Sequence, residues 1–125
     1  MLSSDHAPHR KGDGGDDEAA NPCGVPYLDK AGSLLANWIV HGLNARRAAH
    51  ISSHGPAKLM GLDDRGLISE GMRADLAVLR LYGDGRSDKT YSLCGWTPYG
   101  YVQDFVEATI IGGKVVFERG EPVGI

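Results

Sequence analysis

An aspartate and two histidines, Asp5, His6 and His9, fall within five positions of one another near the start of the sequence. Neutral imidazole and ionised carboxylate are both metal ligands and both general bases, so groups this close can share one cation or pass on one proton. A catalytic zinc takes at least three protein ligands, so such a cluster is complete only if other segments bring further groups to it. The bland alternative is a solvated arm whose turn Pro8 stiffens. Three more histidines lie further on. His50 and His54, four apart, share a helix face, but a pair without a third ligand is more often surface decoration, and His41 stands alone.

The elements that must position these groups follow from the hydrophobic spacing. Leu2 to Ser4 reads as a short strand that ends at Asp5, and a strand of that length at a terminus needs neighbours to pair with. Residues 10 to 27 contain Gly12, Gly14 and Gly15 with acids at Asp13, Asp16, Asp17 and Glu18, and read as a long loop without an apolar face. Leu28, Ala31, Leu34, Leu35, Trp38 and Ile39 recur at helical spacing up to about His41, with Gly42 as the stop. Asn44 caps a second helix that reaches His54, where Gly55-Pro56 interrupts it, and a short helix runs from Pro56 to Gly61.

Beyond that point the period shortens. Ala74 to Leu81 is a compact apolar run, Asp84 to Asp88 a polar turn, Tyr91 to Leu93 a short strand and Gly95 to Gly100 an aromatic loop whose Trp96 and Tyr99 read as packing residues of the strand region. Val106 to Ile111 and Lys114 to Glu118 read as two strands joined by the tight turn Gly112-Gly113. Because no helix follows, that turn is not a phosphate loop.

Composition narrows the class. With 42% apolar and 23% charged residues the chain has the make-up of an ordinary soluble globular protein. No apolar run approaches the roughly 20 residues of a membrane span, and the start lacks the basic region and long apolar core of a secretory signal. A net charge of −3 argues against nucleic acid as a partner. Cys23 and Cys94 are too few for a disulfide framework, which fits a reducing cytoplasm.

Asp5-His6-Ala7-Pro8-His9 resembles the signature of the dihydroorotases, cyclic amidohydrolases of pyrimidine synthesis. Further matches follow in order: Asn21-Pro22-Cys23-Gly24-Val25-Pro26 is similar to the loop after that motif, and Gly55-Pro56-Ala57-Lys58 to a family Asn-Pro-Ala-Lys segment. Gly66 to Leu76, with its Ala74-Asp75-Leu76, resembles the start of the family's C-terminal strands, and Gly95 to Gly100 with Ala108 to Val116 resembles its tail. The similarity covers nearly the whole chain and corresponds to about the last third of such an enzyme, judged against a barrel of about 250 residues with appended strands.

The resemblance implies an α/β fold: the last strand-helix unit of a (β/α)₈ TIM barrel over residues 1–62, then C-terminal β-sandwich strands over 63–125. It implies a zinc-dependent hydrolase that interconverts L-dihydroorotate and N-carbamoyl-L-aspartate. Asp5 then matches the family's metal-binding aspartate and general base, His9 the residue that contacts the substrate carboxylate, and Cys23 and Gly24 a pair whose backbone touches the substrate ring. His6 has no ligand role in that scheme and reads as structural. The remaining family ligands, a His-x-His, a bridging lysine or aspartate and two more histidines, have no counterpart here, so the chain alone is expected to be inactive. Its expected partners are the small substrate and either the missing barrel portion or a second copy. An allantoinase or hydantoinase fragment, or a non-catalytic scaffold subunit, are the competing readings, and His9 favours dihydroorotase over the first two.

Overall fold

In the computed structural model the described residues are 1–10, 23–82, 90–99 and 105–124. Much of the long acidic loop, the polar turn at 84–88 and Gly100 lie outside them. Among the described residues the fold is α/β, with helices in the first half and a four-stranded antiparallel sheet in the second.

The apolar residues from Leu28 onward form one tight turn, Leu28–Lys30, that leads directly into helix α1, Ala31–Val40. Gly42 stops it with a φ of 106°, a conformation that glycine adopts without a side-chain clash. Asn44 then caps α2, Ala45–Ala49: its side-chain oxygen accepts hydrogen bonds from the amides of Arg46 and Arg47 at 3.0 and 3.2 Å.

Gly55-Pro56 does not interrupt the next stretch, contrary to the sequence expectation. Residues His50–His54 widen into a π-helical turn in which the Gly55 amide donates to the His50 carbonyl, and helix α3, Gly55–Leu59, continues without a break. The wider turn accommodates a proline that has no amide to give and whose ring would crowd the carbonyl four residues earlier. Helix α3 ends before Gly61, which has a φ of 67°.

Strands β1, Leu76–Leu79, β2, Val106–Ile111, β3, Lys114–Glu118, and β4, Glu121–Pro122, form an antiparallel meander in that order. Ile111 pairs with Lys114 across Gly112-Gly113, whose φ values of 55° and 82° make the tight two-residue turn that the sequence predicts. Asp75 clamps this turn from outside: its carboxylate accepts the Gly112 amide at 2.7 Å and pairs with Arg73 at 2.9 Å and Arg65 at 3.2 Å. The Gly112 amide and the flanking arginines hold the Asp75 carboxyl below its ordinary range.

Helix α1 lies against the sheet. A side chain on Gly32 would come within 2.9 Å of Val106, so glycine sets the closeness of that contact. Buried Ser33 accepts the Phe105 amide at 3.2 Å, which satisfies the backbone where β2 begins. Among the described residues the buried apolar side chains, Pro26, Ala36, Ala48, Ala57 and Phe105, are few and mostly small. Trp38, Val40, Leu59, Met60, Leu67 and Ile68 are exposed.

Two short strands expected from the sequence are absent from the described residues. Leu2 to Ser4 forms none: the Leu2 amide donates to the Ile51 carbonyl at 2.6 Å, and the strand-like pairing nearby among the described residues is a single parallel bridge between His6 and Val25. An extended segment becomes a strand only through a ladder of such pairs. Tyr91 to Leu93 forms a bend and turn, because Asp29 captures the Tyr91 amide and Gly95 closes onto the Ser92 carbonyl. No helix among the described residues is long and apolar enough to cross a membrane.

Candidate functional site

The bridge between His6 and Val25 brings the two ends of the long loop side by side, with the Ala7 amide donating to the Val25 carbonyl at 3.2 Å. That pairing places Gly24 against Asp5. With a φ of 82°, Gly24 is in the left-handed region, and a Cβ there would stand 2.7 Å from the Asp5 carbonyl oxygen, 2.9 Å from Ala7 Cβ and 3.2 Å from Asp5 Oδ2. Only glycine fits, since both the backbone angle and the space exclude a side chain.

His9 closes the same patch. Its Nε2 lies 3.1 Å from the Gly24 carbonyl and its Nδ1 3.3 Å from the Arg10 carbonyl. Both neighbours are acceptors, so the ring nitrogens face them as donors, and a neutral ring satisfies one at a time. Asp5 and Cys23 are exposed. Asp5, His9 and Gly24, up to 19 positions apart in the chain, therefore meet in one patch, with Cys23 beside them as the chain neighbour of Gly24.

His6 points elsewhere. Its Nδ1 accepts the amides of both Tyr27 and Leu28 at 3.1 Å, which in the neutral ring places the proton on Nε2. The contact ties the motif to the turn that starts α1, in keeping with a structural role. Asp29 of that turn reaches a segment 61 residues further along: its Oδ2 accepts the Thr90 hydroxyl at 2.5 Å and the Tyr91 amide at 2.9 Å. Burial pushes the Asp29 carboxyl up, but the hydrogen bonds from Thr90, Tyr91 and Ser92 together outweigh it and hold it below the usual carboxylate range.

Trp96, expected from the sequence as a packing residue of the strand region, meets the opening motif, a contact that the sequence reading did not foresee. Its indole N–H donates to the His9 carbonyl at 2.9 Å, and its ring lies 5.6 Å from the His9 imidazole, tilted by 57°. Tyr99 likewise packs edge-on against Tyr27, with ring centroids 5.7 Å apart. The one available signal was that both aromatics sit in a run of Gly95, Thr97 and Pro98, outside any alternating strand pattern.

A cavity of about 520 Å³ lies away from this patch. Leu35, Ile39, His50, His54, Leu76 and Leu79 are among the residues that line it, so it is a gap between α1, the second helical segment and β1. The His50 and His54 rings are 5.5 Å apart there, while His41 Nδ1 donates to the Asn37 carbonyl of its own helix at 2.7 Å. A smaller depression of about 330 Å³, lined by His6, Leu28, Asp29, Tyr91 and Ser92, adjoins the motif. Among the described residues no three of His, Cys, Asp or Glu are grouped so as to hold a metal ion.

Comparison with known proteins agrees with the resemblance seen in the motifs. The profile of the amidohydrolase family matches residues 36–117. A dihydroorotase of Pyrococcus furiosus is 33% identical over 129 aligned residues, which cover 99% of this chain and 30% of the relative. Dihydroorotases of Halobacterium salinarum and Methanothermobacter thermautotrophicus are 34% and 33% identical, over 94% and 97% of this chain and 29% of each relative. The chain thus spans about 30% of the length of the curated relatives that it matches.

Proposed function

The chain belongs to the amidohydrolase family, and from that premise we propose that it is the C-terminal portion of a dihydroorotase, acting on L-dihydroorotate and N-carbamoyl-L-aspartate in pyrimidine synthesis in the cytoplasm. Residues 1–62 then complete a (β/α)₈ barrel, with Asp5 on the rim where barrel enzymes place their chemistry, and residues 63–125 contribute sandwich strands. The observation that carries the reading is the patch itself: Gly24 is packed onto Asp5 while His9 reaches the Gly24 carbonyl.

In this reading Asp5 takes a proton from the attacking water onto its carboxylate and later gives it to the departing ring nitrogen. Its exposure leaves the carboxylate open to both partners. His9 presents an N–H to the substrate carboxylate, exchanging its contact with the Gly24 carbonyl for that of the ligand. The main chain at Cys23 and Gly24 forms the adjoining wall, so Cys23 needs no reactive thiol. When bound, zinc would polarise the amide carbonyl and acidify water. The described residues supply one suitable ligand for it, Asp5, and do not by themselves make a zinc site.

The exposed Trp38, Val40, Leu59 and Met60 support association with the rest of the barrel, in the same polypeptide or another. The decisive test is dihydroorotate hydrolysis with added zinc. The expected result is no turnover above a metal-only blank for the 125-residue chain, activity once an upstream segment with the remaining barrel strands is joined, and its loss in Asp5→Ala of the joined protein. Turnover by the chain alone would overturn the expected inactivity; full activity in Asp5→Ala would overturn the role of Asp5.

A further inference from the structure

We propose that Trp96 is a positioning residue for His9, so that the loop at 90–99 forms part of the substrate-binding patch. The inference deepens the reading of His9 as the group that binds the substrate carboxylate, and it rests on that reading.

An imidazole that exchanges one hydrogen-bond acceptor for another must turn about its side-chain bonds while its backbone stays in place. The His9 amide donates two residues back, to the Ala7 carbonyl at 2.9 Å, a contact that does not tie it to another part of the fold. A long-range anchor comes from the indole of Trp96, whose N–H donates to the His9 carbonyl at 2.9 Å across 87 positions of sequence. The same indole covers one side of the imidazole at a centroid distance of 5.6 Å. Gly24 bounds the ring on another side through its carbonyl at 3.1 Å.

The ring is thereby confined to a short arc between a fixed indole and the main chain that flanks Asp5. Trp96 is itself held in place: the Cys94 thiol donates to the Trp96 carbonyl at 3.4 Å, and Asp29 secures the start of the loop through Thr90 and Tyr91. Indole is suited to this task because it offers one donor and a broad flat surface in a single stiff side chain. Phenylalanine would keep the surface and lose the anchor.

Because the anchor is the His9 carbonyl, the contact survives removal of the imidazole, and the two contributions can be separated by a double-mutant cycle. In the chain joined to its upstream barrel segment, Trp96→Phe is expected to raise KM for dihydroorotate about fivefold with kcat changed by less than roughly twofold. His9→Ala is expected to raise KM further, and Trp96→Phe to add nothing in that background.

Additive effects of the two substitutions on KM would overturn the proposal, since Trp96 would then act independently of His9. If His9→Ala leaves KM unchanged, the carboxylate role of His9 fails instead, and NMR of the 125-residue chain decides the positioning claim by itself. There the wild type should show a slowly exchanging Trp96 indole proton with a nuclear Overhauser contact to the His9 ring, a measurement that requires no variant to fold. Rapid exchange and no contact would overturn the proposal whatever the kinetics.

Discussion

The β2–β3 hairpin and the Asp5 patch are both organised around glycines with positive φ, yet they are built in opposite ways. In the hairpin, Gly112 and Gly113 join strands that are adjacent in sequence, and a side chain at Gly113 would meet nothing within 4 Å. In the patch, Gly24 is pressed against Asp5 and Ala7, and the contacts that complete it span 15 residues to His9 and then 87 more from His9 to Trp96. The hairpin needs its glycines only for their backbone angles. The patch needs Gly24 for the angle and for the missing side chain together.

Gly24→Ala should therefore give the largest effect. A left-handed alanine costs about 1–2 kcal/mol and forcing its Cβ into packed atoms about 1–3 kcal/mol more. Chemical-shift changes should concentrate in the patch, at Asp5, Ala7, His9 and Trp96, with the amides of 106–118 unmoved. A melt within about 0.5 kcal/mol of wild type would mean that the patch needs Gly24 for neither the angle nor the missing side chain.

Gly113→Val sharpens the contrast from the other side. Only the backbone penalty of about 1–2 kcal/mol applies there, and the Trp96 indole signal should stay where it is. Movement of that signal would show that hairpin and patch are mechanically coupled. Asn44→Ala, remote from both, should cost about 1 kcal/mol through the lost cap and leave both signatures intact, as read by thermal melts and amide spectra.

The smallest effect concerns pH. The Asp29 carboxyl, the link between the motif and the loop that carries Trp96, lies below its ordinary value of 3.8 in the folded protein. A depressed folded-state value means a contribution to stability that is present above 3.8 and lost as pH falls through the lower, folded-state value. Asp29→Asn should lower stability near neutrality, where the contribution is fully present, and flatten stability against pH in that acid window. A melt series from neutral to strongly acidic pH checks this, and an unchanged acid slope would remove Asp29 from the account.

These differences explain what was legible in advance. The N-cap at Asn44, the stop at Gly42 and the Gly112-Gly113 turn are decided by a few consecutive residues, and each appears where the residue types place it. The π-helical turn at His50–His54 was hidden because Pro56 can be met either by ending a helix or by widening it, and local sequence does not choose. Trp96 was hidden for a different reason: nothing in its neighbourhood says that its partner is His9.

By itself, then, the sequence determined the short-range elements and the chemical types present in the motif: a carboxylate, imidazoles and a glycine that tolerates close approach. Only the tertiary structure decided which of them meet, seating Gly24 on Asp5, turning His6 toward the start of α1 and bringing Trp96 to His9. The physical reason is that helices, caps and tight turns are selected by interactions among near neighbours. Closing the chain over tens of residues depends on the sum of many distant contacts, which no single spacing in the sequence records.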